Sequence, residues 1–143
     1  MRDIELEFKL QNALNEGGNV WVIGDVHGFN KTLRSLVEKI NPQQGDYVVL
    51  LGDLIDRGPN SYDVVQFAKT SDNIVCVKGN HEKMMIETLS LQGLESPGID
   101  LATWLYNGGL ATATSYINAY TDKTGNELTE LLDLAIEEDK VWM

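Results

Sequence analysis

Asn19-Val20-Trp21-Val22-Ile23-Gly24-Asp25-Val26-His27-Gly28 is the stretch on which the fold turns. Apolar residues rich in valine and isoleucine run without polar alternation. They give way at once to a glycine, two potential ligands and a second glycine. The form recurs twice. Tyr47-Val48-Val49-Leu50-Leu51 leads into Gly52-Asp53-Leu54-Ile55-Asp56-Arg57-Gly58, and Ile74-Val75-Cys76-Val77 leads into Lys78-Gly79-Asn80-His81-Glu82. A strand without alternation is buried on both faces, as strands of parallel sheets are. Between the strands lie helical patterns. Leu33, Leu36, Val37 and Ile40 fall at i, i+3, i+4, i+7 from about Asn30, and Asn41-Pro42 stops them. Tyr62, Val65, Phe67 and Ala68 follow Asn60, a good helix cap. A third helix carries Met84, Met85 and Leu89. Strand and helix alternating at this pitch predict an α/β fold of right-handed βαβ units, βαβαβ, on a parallel sheet.

Outward from this core the pattern changes. Ile4 to Leu14 reads as a short helix with Ile4, Phe8, Leu10, Ala13 and Leu14 as its apolar set, ended by Gly17-Gly18. Leu101 to Tyr106 reads as helix, broken at Gly108-Gly109, and the small apolar run Leu110 to Tyr120 reads as another. Thr124-Gly125-Asn126-Glu127 fits a capping box. It opens an amphipathic helix with Leu128, Leu131, Leu132, Ala135 and Ile136, whose acids read as a solvated face. The apolar end Val141-Trp142-Met143 reads like a chain cut before its next strand, since termini ordinarily sit in solvent. No repeat or linker divides the chain. The expected organisation is one partial domain over 1–143, with a leading helix at 1–18, a motif-bearing βαβ core at 19–92 and a helical segment at 93–143.

With 143 residues, 43% hydrophobic and 23% charged, the composition is that of an ordinary globular domain. No apolar run approaches the roughly 18–20 residues of a membrane helix. The opening Met1-Arg2-Asp3-Ile4-Glu5 is acidic where a signal peptide is basic. The mature chain is therefore expected to start near Met1 and to stay in the cytoplasm, with no membrane partner. The single cysteine, Cys76, excludes an internal disulfide framework and a thiolate zinc site. Between Val75 and Val77 it reads as buried core. Eleven basic and 22 acidic residues give a net charge of −11, which disfavours nucleic-acid binding. Small phosphorylated substrates stay compatible with that charge where bound metal ions reverse the local sign.

The three polar clusters share one chemistry. Asp25 and Asp53 are 28 residues apart, and Asp53 and Asn80 are 27 apart. Each step is one βαβ unit, so all three clusters should meet at the carboxyl rim of the sheet. Carboxylate, imidazole and amide oxygen together suit Mn, Fe or Zn. Gly24, Gly52 and Gly79 precede the ligands and are expected to make the tight turns that aim them. Gly28 and Gly58 are expected to keep the rim open for substrate.

These residues resemble the N-terminal signatures of the calcineurin-like metallophosphoesterases. Gly24-Asp25-Val26-His27-Gly28, Gly52-Asp53-Leu54-Ile55-Asp56-Arg57-Gly58 and Gly79-Asn80-His81-Glu82 carry the likeness. Asp56-Arg57-Gly58 points to the phosphoprotein phosphatase branch. Trp104…Asn107-Gly108-Gly109…Thr112 is similar to a segment of its small bacterial members. The resemblance implies that Asp25 and His27 ligate a first metal, that Asp53 bridges two, and that Asn80 ligates the second and faces the phosphate. It implies two divalent ions, with Mn preferred and Mg, Fe or Zn compatible. Arg57 would clamp phosphate oxygens. His81 would protonate the leaving alkoxide, with Asp56 orienting its ring. A metal-activated hydroxide would attack phosphorus.

The implied activity is hydrolysis of phosphate monoesters, first of phosphoserine and phosphothreonine in proteins and also of small phosphoesters. Diadenosine tetraphosphatase is the second reading. A small residue often stands at the Asp56 position in that branch, which favours the first. One departure stands out. No histidine follows His81 and no arginine follows Arg57, although family members carry further ligand histidines and a second phosphate-binding arginine in the C-terminal half. The second metal site is therefore incomplete in this chain. The expected fold is the parallel-sheet half of a metallophosphoesterase sandwich with added helices, truncated at its C-terminus. A reading of another class follows from the same gap: an inactive fragment, or a metal- or phosphate-binding module. A homodimer formed through the open C-terminal edge would be a third way to complete the site.

Overall fold

The structure, a computed structural model, describes residues 3–90 and 101–124. Elements run in the order α1 (Ile4–Asn15), β1 (Val20–Ile23), α2 (Asn30–Ile40), β2 (Tyr47–Leu50), α3 (Ser61–Lys69), β3 (Ile74–Cys76), α4 (Asn80–Ser90), α5 (Leu101–Trp104) and α6 (Leu110–Thr124). A π-helical segment, Leu105–Gly109, joins α5 to α6. The three strands form one parallel sheet in the order β1-β2-β3. Val22 pairs with Val49, and Val49 with Val75. This is the α/β, βαβαβ arrangement that the apolar strands predict.

β2 lies in the centre, and Val48, Val49 and Leu50 are buried. Around it Leu54, Ile55, Val64, Val65 and Met85 form the core with Tyr116 of α6. The edge strand β1 is barer, with Val22 60% exposed. β1 and β2 are tied at their starts by Asp46, whose carboxylate accepts from the Asn19 and Gln43 backbone N–H groups at 2.7 and 2.8 Å. These bonds hold the Asp46 carboxyl below its ordinary value of 3.8.

Several local expectations change. Leu51 and Val77 fall just past their strands, because the chain turns at the carboxyl rim. Asn60 occupies the cap position of α3 but makes no side-chain cap bond. The apolar set of the leading helix is mostly open, with Ile4 and Phe8 about 70% exposed and only Ala13 buried. The break expected at Gly108-Gly109 is present as a kink, where Gly108 leaves the helical region at φ 108°. α6 continues through Thr124, where the capping box was placed. The helix expected beyond it, and Val141-Trp142-Met143, lie outside the described residues.

Candidate active site

The loops after β1 and β2 are zipped together by their backbones. Val26 and His27 N–H groups both donate to the Asp53 carbonyl, and Gly28 N–H donates to Leu54, at 2.7–3.0 Å. Gly58 N–H returns to the His27 carbonyl at 2.9 Å. The loop after β3 is attached by Glu82, whose side chain is 1% exposed. One carboxylate oxygen accepts from the N–H groups of Asp53 and Gly79, both at 2.8 Å. The other accepts from Leu54 at 2.7 Å and Ile55 at 3.3 Å. A buried charge is tolerated when donors surround it, and here four amides do.

These turns place His27, Asp53, Asp56 and Arg57 in the left-handed region, with φ between 48° and 69°. Outside the site, Asn41 alone among the described non-glycine residues has positive φ. Sparsely populated backbone of this kind costs about 1–3 kcal/mol per residue and clusters at functional sites. The strain is compensated by the interloop bonds above.

The strained turns bring the predicted residues to one place. His27 is buried, and its Nδ1 lies 2.9 Å from the Ile55 carbonyl. That bond fixes the tautomer, with Nδ1–H donating and Nε2 left as a lone pair. Among the described residues, His27 Nε2 is the buried side-chain nitrogen or oxygen with no hydrogen-bond partner. It lies 3.6 Å from Asp25 Oδ2. Donor atoms of His27, Asp53 and His81 all fall within 4.8 Å of one another. An imidazole oriented through its far nitrogen, with its near lone pair unused beside carboxylates, fits a divalent metal ligand. Asp53 Oδ1 also accepts the His81 backbone N–H at 3.0 Å. Asn80 opens α4 and is exposed at the same rim.

Opposite this donor set stands a second cluster. His81 Nδ1 lies 2.7 Å from Asp56 Oδ2, and both side chains are buried. The other ring nitrogen, Nε2, lies 3.2 Å from an Arg57 guanidinium nitrogen. With Nδ1 donating to the carboxylate, Nε2 accepts from arginine. Arg57 is exposed and its backbone N–H is held by the Gly108 carbonyl. The His27 and His81 rings meet edge to face at 4.7 Å. Both predicted groups, metal ligands and phosphate-handling residues, are therefore contiguous.

Two glycine expectations change. Gly28 and Gly58 do not hold the rim open. Their backbones pack on each other, and a Cβ on Gly28 would stand 2.7 Å from the Gly58 carbonyl oxygen. Gly24 has open space around it and no positive φ, so its turn does not require glycine. Cys76 is only half-buried, yet desolvation and the Glu82 charge push its thiol up to about 12. It is protonated at neutral pH and takes no part as a thiolate.

Sequence reasoning gave no role to Glu82, although it ends the Gly79-Asn80-His81-Glu82 motif. Nor does the sequence name a partner for Trp104 or Thr112, which enter it only through the Trp104…Thr112 pattern. Trp104 Nε1 and Thr112 Oγ1 both bond the Asp56 carboxylate. The available signal was the Trp104…Thr112 pattern itself, which does not name its partner.

Comparison with known proteins agrees with this geometry. The profile described as calcineurin-like phosphoesterase matches residues 18–140. Serine/threonine-protein phosphatase 1 of Salmonella typhimurium is 39% identical over 93 residues, 64% of this chain and 39% of that protein. Serine/threonine-protein phosphatase 2 of Escherichia coli is 31% identical over 121 residues, 83% of this chain and 48% of its own length. A symmetrical bis(5'-nucleosyl)-tetraphosphatase of Buchnera aphidicola is 40% identical over 70 residues, 48% of this chain and 25% of that protein. The chain thus spans less than half the length of each of these relatives.

Proposed function

The chain belongs to the calcineurin-like phosphoesterase family, and from that premise we propose that it hydrolyses phosphate monoesters, in first place phosphoserine and phosphothreonine of proteins. The observation that carries the proposal is the contact between the two clusters: the unused His27 Nε2 and Asp53 on one side, and the His81–Asp56 pair with Arg57 on the other. Asp25, His27, Asp53 and Asn80 are the residues that would hold divalent ions, with Mn the preferred one. Such ions, when bound, supply Lewis acidity and lower the pKa of water.

The chain's own residues do the rest. Arg57 presents a planar donor fork to phosphate oxygens. Its present bond to His81 Nε2 would be exchanged for bonds to the phosphate, which frees that nitrogen to take a proton from solvent and pass it to the leaving oxygen. Asp56 holds His81 through Nδ1, so the ring is aimed. The left-handed backbone at Asp56 and Arg57 turns both side chains out of one tight loop.

The test is p-nitrophenyl phosphate hydrolysis with added Mn. Metal-dependent turnover that chelator stops is expected, with Asp56→Asn lowering kcat by about 10²–10⁴-fold, the usual scale for general acid–base groups. Turnover indifferent to both treatments would sink the proposal. A tetraphosphatase reading is favoured by the Buchnera relative. Preference for a dinucleoside tetraphosphate over a phosphopeptide would put it first.

A further inference from the structure

Asp56 is fully buried, with four side-chain bonds converging on its carboxylate. Oδ2 takes His81 Nδ1 at 2.7 Å and Trp104 Nε1 at 3.1 Å. Oδ1 takes the Thr112 hydroxyl at 2.7 Å and Trp104 Nε1 at 3.2 Å. Thr112 Oγ1 accepts in turn from the Asp56 backbone N–H at 2.8 Å, and it lies 3.0 Å from Ser61 Oγ in α3. Thr112 and Asp56 therefore hold each other by two bonds, one through the main chain and one through the side chain. Trp104 straddles both oxygens with its single N–H. Its indole is itself pinned, because the missing side chain of Gly109 leaves the space the ring fills.

We propose that Trp104 and Thr112 are positioning residues for the His81–Asp56 pair, acting through the Asp56 carboxylate. The proposal rests on the reading of His81 as the proton donor to the leaving group. Without these two donors the carboxylate would keep its burial but lose its fixed rotation about χ2, and burying an unsatisfied oxygen is costly. The carboxylate would then turn to find other donors, and His81 Nδ1 would lose the aligned acceptor that sets its tautomer. α5, the π segment and α6 thus contribute to the site, although none of them carries a reacting group. The kink at Gly108 puts the turn holding Trp104 and the helix holding Thr112 on the same side of Asp56.

The chain has two histidines, His27 and His81, so long-range imidazole ¹H–¹⁵N spectra of the full chain contain two ring systems. His81→Ala assigns them. In wild type His81 should appear as the Nδ1–H tautomer. Thr112→Val and Trp104→Phe should each convert it to a mixture of tautomers or broaden the Nδ1–H signal, and Thr112→Ser should restore the wild-type pattern. In the same variants, kcat on phenyl phosphate should fall on the order of tenfold further than kcat on p-nitrophenyl phosphate, because the poorer leaving group depends more on its acid. Wild-type His81 signals in folded Thr112→Val or Trp104→Phe would overturn the proposal. So would loss of folding in both of them while Thr112→Ser stays native, which would assign these residues to the core alone. If His81→Ala hydrolyses phenyl phosphate like wild type, the proton-donor reading fails, while the ring spectra still decide whether Trp104 and Thr112 set the tautomer.

Discussion

At the scale of the residue, Glu82 shows how one side chain can organise a site without touching its chemistry. Its two oxygens take four backbone N–H groups from two loops. Glu82→Gln must turn an NH₂ toward two of those donors, whichever way the amide lies. Urea denaturation should show a loss of about 2–4 kcal/mol, the scale of unpaired buried donors. Asp46 makes a smaller knot of the same kind at the opposite end of the strands. Its carboxyl is held below 3.8 by the Gln43 and Asn19 N–H groups. A lowered folded-state pKa gives stability that is complete above the unfolded value and is lost as pH falls through the folded one. Asp46→Asn should therefore be less stable than wild type at pH 7, and the gap should close below about pH 4. A constant gap in melts from pH 7 to pH 3 would contradict this.

At the scale of the element, the strands and the helices between them were legible because their signals are local. Val48-Val49-Leu50 has no polar residue to lend to solvent, and Leu33, Leu36, Val37 and Ile40 fall on one helical face. The residues proposed to hold metal stand out for a related reason, since Asp25, Asp53 and Asn80 each follow a strand of their own. Less was visible where the cause is contact between distant segments. Nothing around Glu82 names the amides of Asp53 to Ile55, and nothing around Thr112 names Asp56. The break at Gly108-Gly109 is legible from composition, but its partner is not: Gly108 leaves the helical region at φ 108° against the Arg57 backbone. A Cβ there would lie 2.7 Å from the Arg57 nitrogen. Gly108→Ala should therefore cost about 1–3 kcal/mol in thermal unfolding, and it should raise KM by displacing Arg57. An unchanged melting temperature would mean that the kink relaxes without strain.

At the scale of the whole molecule, a net charge of −11 favours cations over the phosphates the site is proposed to bind. Divalent ions then have two consequences, one for chemistry and one for stability. Saturation with Mn at a hundredfold its Kd should add about 2.7 kcal/mol in calorimetric melts. His27→Ala should abolish that gain, as it removes the unpartnered buried nitrogen. A gain that survives the substitution would place the ion elsewhere. The interloop ties have a further consequence for how the molecule breathes. Connecting loops are ordinarily the first parts of a domain to open. Here the turns after β1, β2 and β3 share their bonds with one another and with a single carboxylate, so none can lift away alone. The rim opens as one cooperative unit or not at all. A phosphoester at this rim would meet turns already bonded to one another, and none of its binding free energy would go into joining them.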